Sequence, residues 1–346
     1  MINYFLCGLA FFSFLLIVKT DSDCPYVSSS QISDRRTNSS RLRLMQYNVE
    51  WLFIDYYSQS DCPGNGCTWK TQSDAEKHLE YVSSVIQTLN PDILNLCEVE
   101  GCDELNLLIK SGLDSAYISY MKKGTDTATG QNVGILTKID PVVSLYRSEE
   151  KYNYPIAGNK CGQTSATGSQ GVSKHYITEY QIGGYNIAMI GAHLLAMPTD
   201  PTRCIEREAQ AQVLQNVIYS YIQKNYEIIF FGDLNDFDGE VLDVGPNYPS
   251  SRVLQILKGE DGENCGKYEL LSVASKMQPP ERYSDWYNSD GNCNTSSIMD
   301  YSMIDHILVT NTIYQKIVDV FIYHGYDEYC GKWNSDHYPI IVDFKL

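Results

Sequence analysis

Basic residues are scarce in this sequence. Its 346 residues include 26 Lys and Arg against 43 Asp and Glu, which gives a formal net charge of −17. A chain this acidic is not expected to coat nucleic acid or an anionic membrane through bulk charge. A site for a phosphate-bearing substrate would therefore need a metal ion or a few local cations to overcome the negative field.

Long apolar runs are also nearly absent. One uncharged stretch, residues 5–18, precedes Lys19 and is shorter than the ~20 residues that a membrane-spanning helix needs. Its length suits the hydrophobic part of a secretory signal peptide, although no Lys or Arg comes before it. We therefore expect a signal peptide over residues 1–22, a lead-in over 23–40, one domain over 41–346 and a secreted product. An uncleaved signal anchor is the alternative.

Paired C-x-x-C units, which are typical of structural zinc sites, are missing as well. Of the eleven cysteines, Cys7 lies in the leader, and the even number that remains indicates disulfides in an exported chain. Cys62 with Cys67, and Cys265 with Cys293, bracket short irregular segments and are the pairs that the spacing suggests. The remaining connectivity stays open.

Strand and helix patterns alternate after residue 41. Apolar residues at helical spacing predict helices over 74–89 and 203–223, with shorter ones over 103–111 and 250–258. Neighbouring strand patterns at 174–182 and 185–194 indicate a hairpin, which implies mixed sheets with helices outside. The strand predictions, in chain order, are 42–49, 93–99, 117–122, 132–138, 142–147, 174–182, 185–194, 227–231, 268–274, 303–310, 317–323 and 340–344.

Polar residues stand at the ends of these apolar strands. Charged groups at such positions are costly to desolvate unless they face a cleft or bind something. Hard oxygen ligands, as three of the carboxylates would supply, favour Mg²⁺, Mn²⁺ or Ca²⁺ over zinc. No G-x-S-x-G, P-loop or G-x-G-x-x-G motif competes, so metal-assisted phosphoester hydrolysis is the chemistry that the residue types favour. The strand-end residues are Asn48, Glu50, Glu98, His193, Asp233, Asn235, Asp305, Asp336 and His337.

Six short strings contain these strand-end residues and follow one another along the chain: MQYNVEWLF (45–53), LCEVE (96–100), GAH (191–193), GDLND (232–236), IDHI (304–307) and NSDHYP (334–339). Each is weak alone, but together they resemble the endonuclease/exonuclease/phosphatase superfamily, the group of deoxyribonuclease I, over residues 42–346. The resemblance implies an α/β fold, a four-layered α/β sandwich in which two mixed β-sheets pack face to face with helices outside. It also implies a metal-dependent phosphoric ester hydrolase.

The resemblance assigns a metal site. Glu50 and Glu98 look like the principal ligands, with Asp336 close to the metal, and Mg²⁺ is the expected cofactor, with Mn²⁺ or Ca²⁺ as alternatives. Asn48 resembles the amide that orients the acidic group and binds the scissile phosphate.

The resemblance also assigns the remaining chemistry. Asp233 is similar to the group that orients or deprotonates the attacking water, and Asn235 to the amide that contacts the phosphate beside it. His337 resembles the imidazole that binds the phosphate, and Asp305 the carboxylate that fixes the tautomer of His337. His193 occupies the place of a second donor to the phosphate.

Two further residues are substrate-binding candidates from their position in the sequence. Asn132 starts an apolar strand and could face the substrate, although an amide there more often caps a turn. Arg207 lies early in the second long helix and could reach a phosphate, while a solvated helix face suits it equally well.

Three functions remain open at this point. A secreted nuclease with DNA as the favoured partner comes first, expected to be a monomer with no obligate protein partner. A sphingomyelinase-like or inositol-phosphate hydrolase keeps the chemistry and changes the substrate, and the loop at Trp286 and Tyr287 is its candidate apolar surface. A noncatalytic secreted binding protein is the third. In an exported chain the sequons at Asn38 and Asn294 are candidate glycan sites.

Overall fold

A computed structural model describes residues 24, 32–54, 68–162, 164–245, 247–288, 293–326 and 333–346. The expected signal peptide and the expected pair Cys62–Cys67 lie outside these residues. Within the described ranges, no helix has both the length and the apolar composition to cross a membrane.

The strands and helices alternate as the sequence patterns predict, and most bounds agree to within about two residues. The strands are β1 (Arg41–Leu52), β2 (Ile93–Val99), β3 (Ile118–Met121), β4 (Asn132–Thr137), β5 (Tyr152–Tyr154), β6 (Gly168–Gln170), β7 (Lys174–Ile182), β8 (Tyr185–His193), β9 (Glu227–Asp233), β10 (Leu270–Ser272), β11 (Asp285–Trp286), β12 (Tyr301–Ser302), β13 (Asp305–Thr310), β14 (Ile317–Ile322) and β15 (Ile340–Lys345). The helices are α1 (Gln72–Leu89), α2 (Cys102–Lys110), α3 (Pro201–Ile222), α4 (Val253–Lys258) and α5 (Asn311–Tyr314).

Two large sheets carry the fold. One has six strands in the order β14-β15-β1-β2-β4-β3, and the other has five in the order β10-β13-β9-β8-β7. Strands β1 and β2 are parallel, as are β8 and β9, while the other neighbours are antiparallel. Both sheets are therefore mixed.

Strand β1 shows how the two faces of a sheet are filled. Leu42 and Leu44 point into the core between the two sheets, whereas Met45 and Tyr47 point outward to the helices. This alternation follows from the two-residue period of a strand, and all four side chains are fully buried. A strand that is apolar on both faces must lie in the interior of a layered fold.

Helices cover both outer faces. Val82 and Ile86 of α1 pack on the six-stranded sheet, and Leu214 and Ile218 of α3 pack on the five-stranded sheet. The predicted α/β fold with two mixed sheets between outer helices is thus confirmed. Helix α1 begins at a capping threonine, Thr71, whose Oγ1 accepts a bond of 3.2 Å from a backbone N–H of the first turn.

The predicted hairpin between β7 and β8 is present, and its turn sets the register of the two strands. Gly183 and Gly184 have φ values of 59° and 83°, which a two-residue hairpin turn requires and which favour glycine. Counting outward from this turn pairs Lys174 with His193 at the far end of the hairpin.

Some predictions are wrong. Residues 142–147 do not form a strand, because only Tyr146 makes an isolated bridge, and the two-stranded sheets β5-β6 and β11-β12 were not expected. Cys265 is an exposed free thiol and Cys293 is bonded to another cysteine, so these two do not pair. Cysteine pairing depends on distance in space, which the spacing along the chain does not give. The described residues form the disulfides Cys24–Cys102 and Cys161–Cys204.

Candidate active site

The C-terminal ends of β1, β2, β8 and β9 lie at one end of the two sheets, because β1 is parallel to β2 and β8 to β9. Asn48 at the end of β1 connects the groups that gather there. Its Nδ2 lies 3.2 Å from Glu98 Oε1, 2.9 Å from Asp233 Oδ2 and 3.4 Å from His337 Nε2. Four of the six predicted strings are thus joined at one amide that spans both sheets.

His337 is held by a carboxylate. Its Nδ1 lies 2.7 Å from Asp305 Oδ2, and Asp305 also accepts bonds of 2.9 Å from Gln46 Nε2 and Ser284 Oγ. Burial acts to lower the pKa of His337, but the charges of Asp305 and Asp336 outweigh it and hold that pKa well above its usual value. The raised pKa favours the imidazolium form of His337, in which Nε2 carries a proton.

His193 has the opposite charge state. Burial, and then the nearby charge of Lys174, hold the pKa of His193 well below its usual value, so its ring is neutral. Its Nε2 lies 3.5 Å from Asp233 Oδ2 and 3.9 Å from Glu98 Oε1. The site thus contains one charged and one neutral imidazole on either side of Asp233.

Asp233 ends β9, directly after a close approach of β9 to β8. A Cβ at the preceding residue, Gly232, would lie 1.8 Å from the carbonyl oxygen of Ala192, so only glycine fits there. Burial, followed by repulsion from Asp305, raises the pKa of Asp233 to about 8. The backbone N–H of Asn235 donates to Asp233 Oδ1 at 2.9 Å, which orients the carboxylate.

Of the three predicted metal ligands, Glu50 is buried, and the side chains of Glu98 and Asp336 are 15% and 36% exposed. Glu50 Oε2 accepts a bond of 3.1 Å from the backbone N–H of Asp336, and Glu50 Oε1 accepts one of 2.9 Å from Thr68 Oγ1. Burial, and then the charges of Asp336 and Glu98, hold the pKa of Glu50 well above its usual value. Repulsion among neighbouring carboxylates is relieved by a bound cation, and carboxylate oxygens are ligands that suit a divalent metal ion.

The described residues form two groups whose potential ligand atoms all lie within 4.8 Å of one another. These are Asp233 with Asp305 and His337, and Asp285 with Asp336 and His337. The predicted trio Glu50, Glu98 and Asp336 is not one of them. Because Asp305 is committed to His337, the carboxylates that remain for a cation are those around Asp336.

Strained backbone is concentrated at this site. Glu50, Trp51, Glu98 and Asn235 have φ values of 49°, 49°, 67° and 49°, in the left-handed region that non-glycine residues seldom adopt. Such conformations cost of order 1–3 kcal/mol each and persist only where the surrounding structure enforces them.

Side chains around α1 enforce the end of β1. His78, fully buried in α1, places Nε2 2.7 Å from the carbonyl oxygen of Val49 and Nδ1 2.6 Å from that of Trp333. The ring of Trp69 stacks on His78 with centroids 4.2 Å apart, and Trp69 Nε1 donates to the carbonyl of Trp51 at 3.0 Å. These contacts tie the segment that carries Glu50 to the one that carries Asp336.

Sequence reasoning missed two charged residues at the site. Asp285 Oδ1 lies 3.8 Å from His337 Nε2, and burial raises the pKa of Asp285 to about 7. Lys174 Nζ lies 3.4 Å from His193 Nε2. The hairpin register counted from Gly183-Gly184 could have found Lys174, whereas no sequence signal pointed to Asp285.

The two substrate-binding candidates have other contacts. Asn132 Nδ2 donates to the carbonyl of Glu100 and its Oδ1 accepts from the N–H of Gly124, both at 2.7 Å, which leaves it a turn-fixing role. Arg207 is fully buried, with Nε 3.1 Å from Asp236 Oδ2 and its terminal nitrogens on carbonyls of residues 195–198. Arg207 is therefore neither available to a phosphate nor part of a solvated helix face. We leave both Asn132 and Arg207 out of the site.

The fold and this set of groups define a metal-dependent phosphoester hydrolase. The chain belongs to the Endonuclease/Exonuclease/phosphatase family, whose model matches residues 45–337. The predicted family and enzyme class are therefore confirmed, and the noncatalytic alternative is not retained.

Solved structures share the fold at low sequence identity. A truncated TDP2 from Caenorhabditis elegans is 16% identical, covers 88% of this chain and 98% of its own, and gives a TM-score of 0.50. An endonuclease/exonuclease/phosphatase from Beutenbergia cavernae is 14% identical, and the match covers 89% of this chain and 72% of that one with a TM-score of 0.54. The mannosyl-6-phosphatase Bt3783 of Bacteroides thetaiotaomicron is 15% identical, and the match covers 87% of this chain and 98% of that one with a TM-score of 0.51. No curated protein matches the chain significantly. At these identities the likeness concerns the fold alone.

Proposed function

We propose that this protein is a secreted, Mg²⁺-dependent phosphodiesterase that hydrolyses its substrate by in-line attack of water, with DNA as the favoured substrate. The observation that carries the proposal is the meeting of Glu98, Asp233 and His337 around the amide of Asn48. Three strings that lie far apart in the sequence would thereby supply a metal ligand, a base and a phosphate-binding group to one site.

Glu50, Glu98 and Asp336 would hold the metal ion. When bound, the ion would supply positive charge that polarises the phosphoester and stabilises negative charge developing on its oxygens. The remaining steps belong to the side chains of this chain.

Asp233 is the residue that we assign to the attacking water. A base is most effective when its pKa is near the working pH, and a value of about 8 meets that condition. On the other side of the cleft, the imidazolium of His337 donates its Nε2–H to the phosphate, and Asp305 holds the ring orientation through Nδ1. Asn48, Asn235 and His193 complete the phosphate-binding set.

A lipid phosphodiester is the second candidate, supported by the segment beside Asp285. Tyr287, Ile298 and Met299 there are 70%, 51% and 67% exposed, which is unusual for large apolar side chains. Trp286, in contrast, is buried and packs in the core between the sheets, so it is not part of this surface.

A substrate panel tests both candidates. The mature protein is given plasmid DNA, RNA, sphingomyelin, inositol phosphates and, because one fold neighbour is named a mannosyl-6-phosphatase, a sugar phosphate, each with Mg²⁺ and with a chelator. DNA cleavage that the chelator abolishes supports the first candidate, and lipid turnover alone supports the second. Failure to turn over any phosphoester by folded protein would refute the proposed function.

Export, glycosylation and the monomeric state form part of the proposal. The disulfides Cys24–Cys102 and Cys161–Cys204 suit an oxidising compartment, and both sequon asparagines, Asn38 and Asn294, are exposed. N-terminal sequencing of protein from the medium should place the mature terminus near residue 22. Mass spectrometry before and after deglycosylation, and sedimentation of the purified protein, test the other two points.

A further inference from the structure

Lys174 places a positive charge inside the cleft. It begins β7, and the hairpin register sets it opposite His193. The residue is buried, with 8% of its surface exposed, and its Nζ lies 3.0 Å from Gln131 Oε1 and 3.4 Å from His193 Nε2. Gln131 precedes β4 of the other sheet, so this contact also spans the two sheets.

In the described part of the chain, Lys174 has no carboxylate in direct contact, although its charge acts on that of Glu98. Among the described residues, no carboxylate oxygen forms an ion pair with Nζ within 4.0 Å, whereas the buried Lys258 has three, from Asp238, Glu240 and Glu260. An ammonium has three N–H donors, of which Gln131 takes one and His193 takes at most another. Among the described residues, at least one donor is therefore left for a group that enters the site.

A buried cation is expensive unless an anion accompanies it. The groups beyond Lys174 and His193 are Glu98 and Asp233, which the proposed function assigns to the metal ion and to water. An anion in direct contact with the ammonium would therefore be one that arrives with the substrate.

We propose that Lys174 is a catalytic residue whose ammonium binds a non-bridging oxygen of the scissile phosphate, beside His193. The inference rests on the proposed function and deepens it, because it names the cation that lets a chain of net charge −17 accept a phosphoester. Lys174 and the imidazolium of His337 would contact different oxygens, since His193 and Asp233 lie between them.

The test compares Lys174→Met, Lys174→Gln and Lys174→Arg with the wild type on bis(p-nitrophenyl) phosphate and on the best substrate of the panel. We expect kcat/KM to fall about 100-fold for Met and Gln, the size of effect seen when one preorganised oxyanion donor is removed. The Arg variant, which keeps the charge, should lie within about tenfold of the wild type. Inorganic phosphate should inhibit the Met and Gln variants about tenfold more weakly.

Lys138→Met is the matched control. Lys138 is also a buried lysine, but its Nζ donates to Asn90 Oδ1 at 2.6 Å at the opposite end of the sheets. This variant should lose stability and keep both kcat/KM and the phosphate inhibition constant.

Each outcome decides the inference. Folded Met and Gln variants that stay within threefold of wild-type kcat/KM, or that lose activity with unchanged phosphate inhibition and no recovery in the Arg variant, would overturn it. If the Met variant does not fold, the Gln and Arg variants decide the question by the same criteria. A wild-type protein without metal-dependent activity would instead refute the proposed function, and calorimetric titration of wild type and Lys174→Gln with inorganic phosphate and Mg²⁺ would then still test Lys174.

Discussion

The two ends of the sheets treat their carboxylates in opposite ways. At the site end, which comprises Asn48–Glu50, Glu98, Asp233, Asp285 and Asp336–His337, acidic groups crowd together. At the base end, which comprises Asp34–Arg36, Arg41–Arg43, Lys138–Asp140 and Asp343, acidic groups are paired with arginines. The strands between the two ends are the same, so the difference lies in the charges placed at their termini.

Ion pairs stabilise the base end. Arg43 binds the buried carboxylate of Asp343 through two bonds of 2.8 and 2.7 Å, and Arg35 binds Asp140 at 2.6 Å. Burial opposes it, but the hydrogen bonds from Arg35, the backbone N–H of Ser33 and Tyr120, together with the charge of Arg35, hold the pKa of Asp140 below its usual value.

The carboxylates at the site end repel one another. Burial and neighbouring carboxylates raise the pKa values of Glu50, Glu98, Asp233 and Asp336, and Lys174 and His337 are the cations that face them among the described residues. A protein tolerates this only where the unpaired charge serves a ligand. The ion pairs of the base end therefore stabilise the protein without a ligand. The carboxylates of the site end would be stabilised by bound metal and substrate.

The largest expected effect is on activity at the site end. Glu98→Ala and His337→Ala should each lower kcat/KM at least about 100-fold, because each removes a group that stabilises charge in the transition state. Circular dichroism and thermal unfolding should show a folded protein in both cases. If both variants keep wild-type rates, the site assignment fails, and Asp343→Asn at the base end, which should keep full activity, is the matched control.

The next effect is a gain of stability at the site end. The pKa of Asp285 in the folded protein is about 7, above that of an unfolded aspartate, so the folded protein binds more protons between these values. Its contribution to the free energy of unfolding therefore falls as pH rises from about 4 to about 7. Asp285→Asn should raise the stability of metal-free protein by about 2 kcal/mol at pH 8 and by little at pH 4.

Denaturant unfolding at the two pH values measures this change. Mg²⁺ should also stabilise the wild type at pH 8, by about 2.7 kcal/mol at 100 times its dissociation constant. A loss of stability in Asp285→Asn at pH 8 would contradict the picture of stored repulsion.

The same substitution at the base end should have the opposite sign. Asp343→Asn breaks the two-bond contact with Arg43 and leaves that guanidinium without its partner, so the free energy of unfolding should fall by about 1.5 kcal/mol at pH 7. Denaturant unfolding checks it, with kcat/KM as the control. An unchanged or raised stability would remove the distinction between the ends.

The smallest effect concerns an exposed pair at the base end. Arg41 lies 3.3 Å from Asp343, but its side chain is 53% exposed and solvent screens the contact. Arg41→Ala should cost no more than about 0.5 kcal/mol in unfolding experiments. A cost equal to that of Asp343→Asn would mean that Arg41, and not Arg43, carries the pair.

Much of the fold followed from local patterns. The period of apolar residues located β1, β2, α1 and α3 because a residue's burial on one face repeats with the geometry of its own element. The neighbouring strand patterns at 174–182 and 185–194 located the hairpin for the same kind of reason, and the structure adds that Gly183 and Gly184 form its turn.

Other features could not be obtained in this way. Arg207 stood at a position open to two interpretations, and its burial against Asp236 satisfied neither. Asp285 came to the site through a bridge to His337 from a two-stranded sheet that no pattern indicated. Cys265 and Cys293 were near in sequence and did not pair. In each case the deciding quantity is a distance between segments that do not interact locally.

By itself the sequence determined the family, the order of strands and helices and the kinds of group available for phosphoester chemistry, because residue type and spacing are local properties. Only the tertiary structure decided that the pKa of His337 is raised and that of His193 lowered, that Lys174 has no ion pair among the described residues, and that acids are paired at one end and crowded at the other. Charge state and pairing depend on burial and on neighbours from distant segments, and these exist only once the two sheets have packed.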